Sequence, residues 1–106
     1  MSNLGTGRVL HEEARRDVAA VACELVRSGL VVNTSGNVSL RIGDTIAITP
    51  SARAYETLQP ADICLVDLTG AAVDGRWLPS SELALHLALY HANPDCQAIV
   101  HTHSVN

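Results

Sequence analysis

The sequence predicts an α/β domain in which a largely antiparallel sheet carries helices packed against it. Three observations lead there. Val38, Leu40 and Ile42 alternate with Ser39 and Arg41, and a second run follows directly after Gly43-Asp44, which is the pattern of two strands joined by a tight hairpin turn. Two longer stretches, one before this hairpin and one near Leu83–Tyr90, repeat apolar residues at helical spacing. Further strand-like runs follow one another through short turns rather than through helical crossovers, which makes neighbours antiparallel. The order is helix, hairpin, one or two strands, helix, strand.

The elements can be justified in turn. Residues 1–8 read as a flexible tail. A helix is predicted over 9–28, with Ala14, Val18, Val21, Ala22 and Leu25 as its apolar stripe and Glu12, Glu13, Arg15, Arg16 and Asp17 over much of the rest. Gly29 is the expected stop. The strand Val38–Ile42 is half-buried, and Thr45 to Thr49 returns beside it with Ile46 and Ile48 inward, ending at Pro50. Ser51 to Asp62 is ambiguous, with a short helical turn expected near 60–62. Ile63 to Leu68 is a strand, Thr69-Gly70 a turn, and Ala71 to Gly75 a short return strand. A helix then opens at Pro79-Ser80-Ser81, with a serine as N-cap and Glu82 in the first turn, where the helix dipole favours an acid. Leu83, Leu87 and Tyr90 form its apolar side, and Asn93-Pro94-Asp95 stops it. The last strand runs from Gln97 to His103.

Composition narrows the class. Hydrophobic residues make up 47% of the 106 residues and charged ones 17%, so the chain folds rather than staying disordered. Aromatics are 3% with no Phe, so the core is aliphatic. A net charge of -4 argues against a general nucleic-acid partner, and no run is long enough to span a membrane. Cys23, Cys64 and Cys96 are odd in number, lack CxxC spacing and sit in apolar stretches, which reads as buried reduced thiols in a cytoplasmic protein.

Four stretches carry possible chemistry. In a strand, His101 and His103 point to the same face, so their imidazoles can converge on one divalent metal. Two exposed histidines at a strand end fit the same spacing, and a zinc site needs three or four ligands. Asn33-Thr34-Ser35-Gly36-Asn37 suits either a backbone nest for an anion or an ordinary Asx-type turn. Thr49-Pro50-Ser51-Ala52 is a second hydroxyl-bearing turn. Pro79-Ser80-Ser81-Glu82 offers two hydroxyls and helix-start N–H groups to a phosphate, and a carboxylate as base or metal ligand, or else simply caps a helix. His86 is expected on the helix surface, paired with Glu82 one turn earlier. His11 and His91 are expected at the surface, and Tyr55, Trp77 and Tyr90 in packing roles.

Taken in order, Thr34-Ser35-Gly36-Asn37-Val38-Ser39, Ile48-Thr49-Pro50-Ser51, Leu78-Pro79-Ser80-Ser81-Glu82 and Pro94-Asp95 through His101-Thr102-His103 resemble the class II aldolase/adducin superfamily, and within it the L-fuculose-phosphate aldolase branch. The resemblance covers about residues 10–106. It implies a three-layer α/β/α sandwich with a largely antiparallel central sheet, incomplete in this chain. It implies one zinc ion per subunit on His101 and His103, with Glu82 as acid/base carboxylate and further metal ligand. Gly36, Asn37, Ser51, Ser80 and Ser81 are implied to hold the phosphate of a sugar substrate. The implied partners are a sugar phosphate and, at full length, three further copies in a homotetramer, with neither nucleic acid nor membrane. Ala52 stands where these aldolases often have glycine. The related ribulose-phosphate 4-epimerases typically carry Asp after the serine pair, so Glu82 favours an aldolase; dehydratases, decarboxylases and a non-catalytic adducin-like module share much of the motif set. The family's third histidine ligand falls beyond Asn106, so residues 9–106 are expected to be the N-terminal part of the domain and inactive alone.

Overall fold

The computed structural model describes residues 10–31 and 36–102. Helix α1, Glu12–Arg27, is followed by the hairpin strands β1, Asn37–Ile42, and β2, Thr45–Ile48. Two single 3₁₀ turns, Tyr55–Thr57 and Pro60–Asp62, lead into β3, Cys64–Asp67, and β4, Ala72–Asp74. Helix α2, Leu83–Ala92, and β5, Ala98–His101, complete the order. The turn at 60–62 lies where it was expected; the one at Tyr55–Thr57 was not foreseen.

The five strands form one sheet in the order β4-β3-β2-β1-β5, with each neighbouring pair antiparallel. Helix α1 covers one face. Its Val18, Ala19, Ala22 and Leu25 pack on Val38, Ala47 and Leu65, with Tyr55 and Ile63 closing the cluster. Helix α2 covers the other face, where Tyr90, Leu83 and Leu87 meet Ile46, Ile48, Cys64 and Val66. The chain is thus a three-layer α/β/α arrangement, as expected.

Helix α1 ends as its sequence requires. Leu30 N–H bonds the Leu25 carbonyl and Gly29 N–H the Val26 carbonyl, a Schellman closure that needs the positive φ of 81° at Gly29. Its start is later than expected, because His11 takes a left-handed φ of 52° that cannot continue a helix. Its stripe is also rotated from the expected one. Val21 is 40% exposed, whereas Arg15 is 2% exposed and sends its guanidinium to Asp74 on β4 at 2.6 Å.

Covering both sheet faces corrects two expectations. Ser39, placed outward by alternation, is fully buried beneath α2. Of the three thiols, Cys64 is buried, while Cys23 and Cys96 are only partly so; all three are free. Among the described residues, no helix is long and apolar enough to cross a membrane.

Candidate functional site at one end of the sheet

The sheet register gathers the chemistry-bearing residues at one end. Asn37, the first residue of β1, lies opposite His101, the last of β5. On the other side of β1, Thr49 N–H bonds the Val38 carbonyl at 3.0 Å and Thr49 Oγ1 accepts Val38 N–H at 3.2 Å. Beyond β2, Pro50 and Pro79 form an isolated bridge. Neither proline has an N–H, so their neighbours close it. Ser51 N–H bonds the Leu78 carbonyl at 2.8 Å, and Ser80 N–H the Thr49 carbonyl at 2.9 Å. This pairing brings Ser51 and the Ser80-Ser81-Glu82 segment together at the sheet end.

The segment enters α2 differently from the expected cap. Glu82 itself takes the N-cap position, and its carbonyl accepts the His86 N–H at 3.2 Å. Ser80, 8% exposed, accepts the Glu82 N–H on Oγ at 3.1 Å. Since that oxygen acts as acceptor, the Ser80 O–H stays available as a donor. Ser81 is exposed and Glu82 half-buried.

Gly36 is forced by close approach. A Cβ there would collide with Val31 Cγ1 and lie 3.1 Å from the His101 carbonyl. The Gly36 carbonyl is held by the Tyr55 hydroxyl, which also lies 3.4 Å from Thr49 Oγ1. Burial pushes the Tyr55 phenol above its ordinary pKa, and the Thr49 hydrogen bond only partly offsets this. Tyr55 therefore packs, as expected, and also buttresses the turn. Asn33, Thr34, Ser35 and His103 lie outside the described residues.

His86 is the residue that sequence reasoning misplaced. It is fully buried. Its Nδ1 lies 2.6 Å from Ser39 Oγ and its Nε2 2.5 Å from Asn37 Oδ1. Ser39 Oγ in turn meets the buried Tyr90 hydroxyl at 2.8 Å. Burial pulls His86 down to about 4; the neighbouring His101 pushes the same way and Glu82 opposes. Ser39, His86 and Tyr90 meet only because α2 packs across β1, a contact that local spacing does not encode. His91, as expected, is exposed; its Nε2 bonds the Leu68 carbonyl at 2.8 Å.

Among the described residues, no three His, Cys, Asp or Glu side chains gather as a metal cage. The described donors are His101 and Glu82, and both lie near enough to His86 to act on its charge. Imidazole and carboxylate are both donor types that zinc accepts.

A groove of about 300 Å³ adjoins Ser51, lined by Ala52, Arg53, Ala54, Thr57, Leu58, Asp62 and Trp77. Arg53 stacks on Trp77, 3.6 Å from the ring centroid. Asp62 Oδ1 accepts from Trp77 Nε1 at 2.9 Å and from Arg76 Nη2 at 2.6 Å. Burial alone would raise the Asp62 pKa; hydrogen bonds from Trp77, Gln59 and Arg76 outweigh it and hold the carboxyl below its usual value.

Comparison with known proteins agrees with this architecture. Residues 16–106 match the model of the Class II Aldolase and Adducin N-terminal domain. The L-ribulose-5-phosphate 4-epimerase UlaF of Salmonella paratyphi B is 42% identical over 97 residues, 90% of this chain and 42% of that protein. The 5-deoxy-D-ribulose 1-phosphate aldolase of Bacillus thuringiensis serovar kurstaki is 37% identical over 98 residues, 91% of this chain and 46% of that protein. A solved L-fuculose 1-phosphate aldolase superposes with a TM-score of 0.82 at 33% identity, over 88% of this chain and 45% of that one. The chain thus spans less than half the length of each of these relatives. With its fold, its motifs and the family model in agreement over most of its length, the chain belongs to the class II aldolase and adducin N-terminal domain family.

Proposed function

We propose that this chain supplies the phosphate-binding and proton-transfer groups of a zinc-dependent aldolase. The substrate is a ketose 1-phosphate such as L-fuculose 1-phosphate, cleaved to dihydroxyacetone phosphate and an aldehyde. The observation that supports this most is the pairing of Ser51 with the Leu78–Ser80 segment, one residue from the bond between Thr49 and Val38. That pairing brings the Ser51 turn beside the Ser80-Ser81-Glu82 segment, and the register of β1 with β5 sets Asn37 opposite His101 at the same sheet end.

Gly36, Asn37, Ser51, Ser80 and Ser81 hold the phosphate. Ser80 donates its free O–H and Asn37 its amide hydrogens, while Gly36 keeps the backbone close enough to bind. This anchors the substrate so that its reacting carbons stay beside Glu82. The Glu82 carboxylate accepts and returns the proton that bond cleavage demands. His101, His103 and Glu82 hold the zinc, which when bound supplies a Lewis acid for the substrate's oxygens. The free thiols fit a reducing cytoplasm, and the complete protein assembles as a homotetramer.

The 42% identity to UlaF favours a second reading, epimerisation of a pentulose phosphate. Product analysis on the protein expressed from its complete gene separates the two. Release of dihydroxyacetone phosphate from L-fuculose 1-phosphate supports the aldolase. Conversion of L-ribulose 5-phosphate to its C4 epimer without carbon–carbon cleavage overturns it. In the aldolase, Glu82→Gln is expected to keep substrate affinity within a few-fold and to lower turnover about 10²-fold or more. Wild-type turnover in that variant removes Glu82 from the proton-transfer role.

A further inference from the structure

We propose that His86 is a positioning residue: it grips Asn37 by the amide oxygen and thereby presents the Asn37 amide hydrogens to the oxygens of a bound phosphate. The phosphate rests on the sugar-phosphate reading above; the orientation of Asn37 does not.

The direction follows from a buried chain of four side chains, Tyr90, Ser39, His86 and Asn37. Tyr90 is fully buried, and among the described residues its hydroxyl meets only Ser39 Oγ. A buried hydroxyl has to donate its proton somewhere, so Tyr90 donates to Ser39. The Ser39 O–H then has one acceptor left, His86 Nδ1. With Nδ1 accepting, the imidazole carries its proton on Nε2 and donates to Asn37 Oδ1.

The opposite arrangement has Asn37 donating to Nε2, Nδ1–H donating to Ser39, and Ser39 donating to Tyr90. It leaves the Tyr90 proton buried with no acceptor. A doubly protonated His86 strands the same proton. The buried hydroxyls of Ser39 and Tyr90 therefore decide which way an amide turns at the sheet end. Asn37 Nδ2 has no hydrogen-bond partner among the described residues, and it sits on the side of the carboxamide away from His86. Asn37 lies directly opposite His101 and follows Gly36.

Helix α2 thus does more than cover the sheet. Glu82 at its start and His86 one turn later are fixed by the same element, so the proton-transfer group and the amide donor keep their relative placement. The role of His86 is exerted through Asn37 and not by touching substrate.

The test uses the full chain with ¹⁵N-labelled histidine and inorganic phosphate as the probe. At pH 7 the His86 nitrogens are expected to report a bare Nδ1 and a protonated Nε2. A protonated Nδ1 overturns the orientation. Ser39→Ala removes the hydroxyl that donates to Nδ1 and sets the direction, and phosphate affinity is expected to fall about 3- to 10-fold. In an Asn37→Ala background the same change is expected to cost nothing further, which a general loosening of the fold would not reproduce. Unchanged phosphate affinity in Ser39→Ala overturns the relay. Should Ser39→Ala fail to fold, the nitrogen signals of His86 in the wild-type chain decide the orientation on their own. A wild-type chain with the expected imidazole but no affinity for phosphate overturns the sugar-phosphate reading and the ligand with it, and is told apart from failure of the orientation by the nitrogen signals.

Discussion

Ala52 adopts φ 59°, the left-handed region, in the turn between Ser51 and the Trp77 groove. An alanine there costs about 1–2 kcal/mol against a relaxed backbone, and a glycine forfeits about 0.4–1 kcal/mol through its freer unfolded chain. Ala52→Gly is therefore expected to raise stability by about 0.5 kcal/mol, read as a rise of a few degrees in Tm. A lower Tm would show that the Cβ makes contacts worth more than the strain. His86 gives a second residue-scale expectation. Its folded pKa is depressed to about 4 from an ordinary 6.5. The unfolded chain therefore binds the proton first as pH falls, so the stability is fully present above about 6.5 and is lost progressively down to about 4. Urea unfolding is expected to show a loss of about 2 kcal/mol between pH 7 and pH 5; Asp62 and Asp67, both held below 3.8, act only at lower pH. Flat stability across that window would contradict a buried neutral His86. The buried state of His86 could not be read from spacing, because its partners Ser39 and Asn37 lie 47 and 49 residues away.

At the scale of elements, the local signals were legible where they were self-contained. Gly43-Asp44 turns β1 into β2, Gly29 closes α1, and Pro60–Asp62 forms the expected turn. They failed where a partner element overrides a period. Alternation in β1 marks one apolar face, yet α2 buries the polar one as well. The α1 stripe shifts because Arg15 is drawn to Asp74 of β4, the far edge of the sheet. That pair ties helix to edge strand, with the guanidinium 2% exposed and the carboxylate 51% exposed. Asp74→Ala leaves a buried charge without its partner and is expected to cost about 2 kcal/mol, less than a fully buried pair because the carboxylate meets water. Arg15→Met together with Asp74→Ala is expected to recover most of that loss, since the apolar side chain fills the same space. A double variant no better than Asp74→Ala would place the contribution in packing of the Arg15 stem instead.

For the whole molecule, one sheet separates two cores, and the candidate site lies at the sheet end where the start of α2 meets the ends of β1, β2 and β5. The class and the antiparallel pairing of consecutive strands were legible because short turns leave them few ways to pair; the place of β5 beside β1 was not. The motifs were legible as family features; their convergence was not, since it depends on register, Asn37 opposite His101 and Pro50 opposite Pro79. The proposed metal binding belongs to this scale because its donors would come from separate elements. Replacing His101 and His103 together by alanine is expected to abolish zinc content, measured by elemental analysis, and unchanged zinc would refute their role. The claim that these groups form one sugar-phosphate site is tested most directly by titrating L-fuculose 1-phosphate into the ¹⁵N-labelled protein. Amide shifts are expected to concentrate on Gly36, Asn37, Ser51, Ser80, Ser81, Glu82 and His101. Shifts confined to the groove of Arg53, Leu58 and Trp77, or the absence of any shift at the sheet end, would contradict it.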